Sequence, residues 1–286
     1  MNGAGERREL VVGIDPGRNW HLPLAWAADE AQRRGLELRL VVAVPPAQDT
    51  RHGGAGLRER TMLRTGSTAL QEAAEWALAR HPQLRPAIDL IDGSPVAVIG
   101  RLSGRARMVV LGSRHLSRMA EHVSAGSVVV PVTAQARCPV VVVGDPEHVT
   151  QQPPHFVVGI DGSESSKAAL ALAFEAADFR GAALRAVSVW QPPVFMAHDE
   201  QAAVQDQRRM LCETTAGWSV KYPQVHLTHE VAIGHPVEEL AAASEHALAV
   251  VVGRRGRGGY SGMWLGSVVH GLLHRAHCPV ITVPPA

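Results

Sequence analysis

The chain is written twice over, and that constrains its fold more than any other feature of its 286 residues. LVVGIDPGRNWHLPLAWAADEAQRRGLELRLVVAV, Leu10 to Val44, aligns without gaps to FVVGIDGSESSKAALALAFEAADFRGAALRAVSVW, Phe156 to Trp190. Later segments match as well: IDGSPVAVIG from Ile91 corresponds to AIGHPVEELA from Ala232, and ARCPVVVV from Ala136 to AHCPVITV from Ala276. The repeat far exceeds the roughly 20–50 residues of solenoid units, so each copy is expected to be a whole domain. A chain of this length suits two. The expected domains are 1–146 and 154–286, and the proline-rich polar stretch GDPEHVTQQPPH, Gly144 to His155, reads as their linker.

Within the second copy, strand and helix patterns alternate. Phe156 to Ile160 is a short β-branched run of buried-strand type. The alanine-rich segment from about Ser165 to Arg180 reads as a helix stopped by Gly181. Leu184 to Trp190 is the next strand, a longer helical stretch covers Asp199 to Lys221, and a strand falls near Val225 to Val231. Pro236 to His246 reads as helix and LAVVVG as a strand ending at Gly253; a helix from about Ser267 and a last strand, Val280 to Val283, follow. Five strands alternating with four helices predict right-handed crossovers and a parallel sheet covered on both faces. The expected class is α/β: two tandem doubly wound five-stranded parallel-sheet domains. Ligands of such sheets bind at the carboxyl ends of strands, where strand order reverses. GIDGS, closing the first strand, and VVVGRRG, closing the fourth, both face that crevice.

The loop after the fourth strand lies in VVGRRGRGGYSGMWLGSVVHGL, Val251 to Leu272, with seven glycines and three arginines. Clustered glycines let backbone N–H groups approach an anion and so make a phosphate nest. Ser267 opens the next helix, whose free amides and macrodipole favour a negative ligand. Arg254, Arg255 and Arg257 add charge suited to phosphate oxygens. A flexible loop with solvated arginines is the competing reading. The loop is not a P-loop, because no lysine follows the last glycine, and the G-x-G-x-x-G spacing of a dinucleotide site is absent. A nucleic-acid reading of RGRGG fails for want of interleaved aromatics and a basic domain. Asp161, Gly162 and Ser163 form the turn after the first strand. There Asp161 either contacts a ligand or only organises the turn and caps the helix.

Gly253, two residues, Gly256, nine residues, then Gly266-Ser267 reproduces the signature G-x2-G-x9-G-[S/T]. With VVGIDGSESS before it and CPVITV after it, the chain resembles the universal stress protein family over essentially its whole length, as a tandem two-domain member. The resemblance implies a flavodoxin-like five-stranded fold and, in members with this loop, ATP bound as a regulatory ligand without a clear metabolic reaction. Carried over by position, it implies that Gly253, Gly256, Gly266, Ser267 and Val268 hold ribose and phosphates, and that Asp161 and Val189 frame the adenine. Gly162, Ser163, Arg254 and Arg257 complete the expected set for ATP, with or without Mg2+. The first copy departs from this pattern. GSRHLSRMAEHVSAGS has Gly112, then His115 in place of the second glycine, and ten residues instead of nine before Gly126-Ser127. DPGRNW replaces DGSESS. The N-terminal copy is therefore expected to bind nucleotide weakly or not at all, with Asp15, Gly112, Gly126 and Ser127 as the remnant of its site.

Composition narrows the function classes. A formal net charge of +1 gives no footprint for non-specific nucleic-acid or membrane-surface binding. There is no run of about 18 apolar residues, and the charged N-terminus lacks a signal-type apolar region. Cys138, Cys212 and Cys278 have neither the number nor the spacing of a disulfide framework or zinc site, so a reducing cytoplasm is the expected location. Cys138 and Cys278, each before a proline at the start of a final strand, are expected to be buried inert thiols. The fifteen histidines are scattered, and the HxxxH pair His270 and His274 lacks the glutamate of a zinc hydrolase, so no metal site is expected. No nucleophile elbow or carboxylate pair points to a dedicated enzyme; His270 and Asp161 are the candidates for slow ATP hydrolysis. The leading expectation is a cytoplasmic, ATP-dependent stress-response regulator whose C-terminal loop orders around ATP and changes the surface offered to an unidentified protein partner. Its rival is a nucleotide-independent assembly module, in which Val140–Val143 and Val280–Val283 pair within the chain or in a homodimer.

Overall fold

Runs of valine and leucine too short for helices become the inner strands of both copies. The protein is represented by a computed structural model that describes residues 8–46, 55–113, 128–144, 148–193, 199–257 and 265–285. The chain divides between Val143 and Gly144 into two units.

The first unit runs β1 (Glu9–Gly13), α1 (His21–Arg34), β2 (Glu37–Val44), α2 (Ala55–Arg80), β3 (Ala87–Asp92), α3 (Pro95–Leu102), β4 (Ala106–Gly112), α4 (Val129–Gln135) and β5 (Val140–Val143). The second runs β6 (His155–Gly159), α5 (Glu164–Arg180), β7 (Ala183–Trp190), α6 (Glu200–Thr215), α7 (Trp218–Lys221), β8 (Leu227–Ile233), α8 (Pro236–Ala243), β9 (Val250–Gly253), α9 (Ser267–Arg275) and β10 (Val280–Val283). Strand order is β3-β2-β1-β4-β5 in the first and β8-β7-β6-β9-β10 in the second. Pairing is parallel throughout each unit. This is the doubly wound α/β path, followed twice. The chain steps outward from the first strand to the third, then crosses to the opposite side for the fourth. The order therefore reverses between β1 and β4, and between β6 and β9.

Burial follows that order. Val157 and Val158 of β6 and Val250 and Val251 of β9 are fully buried, whereas every residue of the border strand β8 is exposed or half-buried. Cys138 and Cys278 are buried in the cores, and burial pushes the Cys278 thiol up to about 11. Among the described residues no helix is long and apolar enough to cross a membrane.

Three elements differ from their sequence reading. The stretch predicted as one helix from Asp199 to Lys221 breaks between α6 and α7, where Gly217 takes φ +81°. That left-handed residue lets Trp218 stack on Phe174, with ring centroids 5.3 Å apart, so aromatic packing outweighs helix continuation. The strand expected near Val225 starts at Leu227, and α8 stops at Ala243 rather than His246. There the Ser244 hydroxyl donates to the Ala241 carbonyl, offering the backbone a turn in place of another helical step.

Candidate functional site

The reversal between β6 and β9 brings together residues 96 positions apart. The chain leaves β6 through Ile160 into Asp161, and Gly162 at φ +79° turns it back. Asp161 Oδ1 then accepts the Ser163 amide at 3.0 Å and the Ser163 hydroxyl at 2.6 Å. Ser163 Oγ in turn accepts the Ser166 amide at 3.1 Å and caps α5. Asp161 Oδ2 accepts the Arg257 amide at 3.0 Å, tying the loop after β9 to the turn after β6. Burial works to raise the Asp161 pKa, but the Ser163 and Arg257 donors outweigh it and hold the carboxyl below its ordinary value.

The sign of that shift sets a pH dependence. A carboxylate whose folded pKa is depressed stabilises fully above its unfolded value of about 4, and loses the contribution as pH falls through the folded value. Asp161→Asn places an NH2 group against the Arg257 amide, or surrenders the Ser163 bonds by flipping. It is expected to destabilise the second unit by about 1–2 kcal/mol at pH 7, a difference that shrinks toward zero in acid. Urea melts of both proteins at pH 7 and below the folded pKa check this.

The signature glycines have local reasons for being glycine. A Cβ on Gly253 would fall 2.5 Å from the Ser165 carbonyl carbon and 2.7 Å from the Ser166 amide nitrogen, so the end of β9 is pressed against the backbone of α5. At Gly256 a Cβ would lie 2.6 Å from Asp161 Oδ2. Gly266 is less confined, with the Arg254 carbonyl oxygen 3.2 Å from its Cβ position. Ser165 completes the arrangement. Its hydroxyl donates to the Val283 carbonyl at 3.0 Å and accepts the Arg255 amide at 3.4 Å, joining α5 to both β10 and the loop.

The loop returns at Gly266, whose amide donates to the Arg254 carbonyl at 3.0 Å. Gly266 is the N-cap residue of α9 and brings no side chain to its amides; Ser267 and Val268 are the first two helical residues. The open first turn of α9 thus stands beside the anchored start of the glycine loop, an arrangement able to receive an anion. Arg255 and Arg257 are exposed. Burial and the neighbouring Arg255 lower the Arg254 pKa, which for a guanidinium leaves it charged. Val189, half-buried, lies at the carboxyl end of β7, the strand next to β6. Contacts thus join Asp161, Gly162, Ser163, Gly253, Arg254, Gly256, Arg257 and Gly266, with Ser267 and Val268 following in the helix; Val189 stands apart on the neighbouring strand. Sequence reasoning passed over Ser165, although the serine run DGSESS was a signal. It also passed over Met210, whose Sδ lies 3.4 Å from the Gly162 Cβ position and had no signal at all.

The first copy is built differently at the equivalent strand ends. Asp15 Oδ1 accepts the Gly17 amide at 3.0 Å and Oδ2 pairs with Arg18 Nε at 2.8 Å, so an arginine of its own loop neutralises it. Helix α1 begins only at His21, with no side-chain cap from Trp20. Among the described residues, a Cβ on Gly112 would meet only the Pro23 ring, at 3.3 Å. Gly126 and Ser127 lie outside the described residues.

Comparison with known proteins agrees with the duplication. Residues 6–144 and 154–284 each match the model of the Universal stress protein family. Universal stress protein Rv2005c of Mycobacterium tuberculosis is 33% identical over 98% of this chain and 98% of its own. Universal stress protein Rv2623 of the same organism is 32% identical, again over 98% of each. In three dimensions the chain is similar to a universal stress protein from Archaeoglobus fulgidus, with a TM-score of 0.76 and 19% identity over 98% of this chain and 97% of that one. Two family matches in tandem, over a fold that repeats the same strand order, lead to one conclusion: this chain belongs to the universal stress protein family.

Proposed function

We propose that the protein is a cytoplasmic, ATP-dependent stress-response regulator that binds one nucleotide, in its second unit. The reading rests on one observation: at the reversal between β6 and β9, the loop start is pinned to Asp161 and the uncapped N-terminus of α9 lies at its end. Triphosphate fits that end, since the α9 amides, the loop glycines and Arg254, Arg255 and Arg257 supply donors and positive charge, and the nearby Asp161 carboxylate is occupied by its own hydrogen bonds. Adenine and ribose would then lie toward Val189 and the Asp161 turn. Asp161 itself already accepts three hydrogen bonds, so any Mg2+ would be carried by the phosphates and water rather than by this carboxylate. The same commitment makes Asp161 a poor group for orienting a hydrolytic water. In the first unit Arg18 supplies Asp15 with an internal counter-ion, and the sequence breaks the glycine signature at His115, which lies outside the described residues; both are in keeping with a single site.

ATP regulates by favouring one loop conformation, which it does only through differential affinity. The loop after β9 is therefore expected to be cut by trypsin, after Arg254, Arg255 or Arg257, slowly in saturating ATP and quickly without it. Identical cleavage rates would exclude the switch. One feature favours the nucleotide-independent assembly reading instead: the contacts of Gly253, Gly256 and Asp161 are internally complete and need no ligand to account for them. That reading requires a variant that cannot bind ATP to keep its stress phenotype, and its assembly partner would be a second copy or an unidentified protein.

A further inference from the structure

We propose that His270 and His274 form a two-imidazole chelate for a borderline transition-metal dication, of the Ni2+, Cu2+ or Zn2+ class, on the exposed face of α9. The i, i+4 spacing puts both side chains on one face of the helix. Their ring centroids are 4.7 Å apart with planes tilted by 43°, and both residues are exposed. Two nitrogens bound to one ion at about 2.0–2.1 Å stand roughly 3 Å apart, a separation these rings reach by small side-chain rotations.

The backbone beneath them is already fixed. Val269, Leu272 and Leu273 are buried, and Gly271 is seated so tightly on α8 that a Cβ would fall 2.5 Å from Val237 Cγ2. Binding therefore orders two side chains and no backbone, the preorganisation that makes a bidentate site effective. The adjacent positive charge of Arg275 is engaged by Glu238 at 3.0 Å. Neutral imidazole selects borderline metals over Mg2+ or Ca2+, which prefer oxygen. Among the described residues no group of three or more His, Cys, Asp or Glu gathers, so the remaining coordination positions are left to water. The absent glutamate that spoke against a zinc hydrolase does not bear on such an open, two-ligand site. Because Cβ vectors lean toward a helix N-terminus, the ion would sit above the first turns of α9. This inference stands independently of the nucleotide reading.

The test is calorimetric titration of Ni2+ into the tag-free full chain, beside His270→Ala, His274→Ala and the surface control His226→Ala. Losing one arm of a chelate removes the intramolecular second step, so each single variant is expected to weaken the site by about tenfold or more. The double variant is expected to match the single ones, and the control to stay within about twofold of wild type. Ni2+ is also expected to raise the thermal midpoint of wild type but of neither single variant, a readout that requires folded protein. Wild type that takes up no Ni2+, or single variants that bind it as wild type does, would overturn the proposal.

Discussion

Gly266→Asp is expected to weaken ATP binding by about 100-fold or more, equivalent to about 2.7 kcal/mol, while leaving the protein folded. Gly266 has φ −67° and ψ 146°, a conformation open to any residue, and it occupies the N-cap position of α9. Its Cβ position lies 3.2 Å from the Arg254 carbonyl oxygen, a contact relieved by a shift of a few tenths of an ångström. Aspartate is among the best N-cap residues, and its carboxylate would accept the first amides of α9. The variant thus occupies the anion site with its own negative charge and repels the phosphates as well. A thermal midpoint close to that of wild type, combined with lost binding, separates this effect from misfolding. Unchanged affinity would remove the α9 N-terminus from the site.

The second large effect concerns stability. Gly253→Ala is expected to destabilise the second unit by about 3 kcal/mol and lower its thermal midpoint by roughly 10 °C. The added methyl would sit 2.5 Å from a backbone carbon and 2.7 Å from a backbone nitrogen of α5, and neither can rotate away. Strand β9 would have to move off the helix and strain its pairing with β6 and β10. Gly112→Ala, the matched change in the first copy, meets, among the described residues, only the Pro23 ring at 3.3 Å and is expected to cost less than about 1 kcal/mol. Calorimetric melts of the two variants test the contrast, and equal midpoints would contradict it. The first glycine of the signature is therefore a packing residue in this fold, whatever else it does, and its substitution is not a clean probe of binding.

That distinction marks what could be read in the sequence. Strand positions were legible because short β-branched runs bounded by glycine or proline have few alternatives: Val280 to Val283 is observed as predicted. The helix break at Gly217 was not, because it depends on Trp218 finding Phe174, 44 residues earlier, by tertiary packing. At the site, both weighed roles of Asp161 were local, a ligand contact or a turn and cap. Asp161 does organise the turn, but Ser163 rather than Asp161 caps α5, and the bond from the Arg257 amide, 96 positions away, is a product of strand order. Ser165 reaches 118 positions to Val283 for the same reason. In the first copy the broken glycine spacing was visible in the sequence, whereas the pairing of Asp15 with Arg18 needed a loop conformation to reveal it.

The most direct test of the proposed function is the number of ATP molecules bound by the full chain after bound nucleotide has been stripped. Calorimetric titration is predicted to saturate near one ATP per chain in wild type and to give no binding heat in Gly266→Asp. Saturation near two would contradict the assignment of a single site to the second unit, and no saturable heat in wild type would contradict nucleotide binding and favour the assembly module.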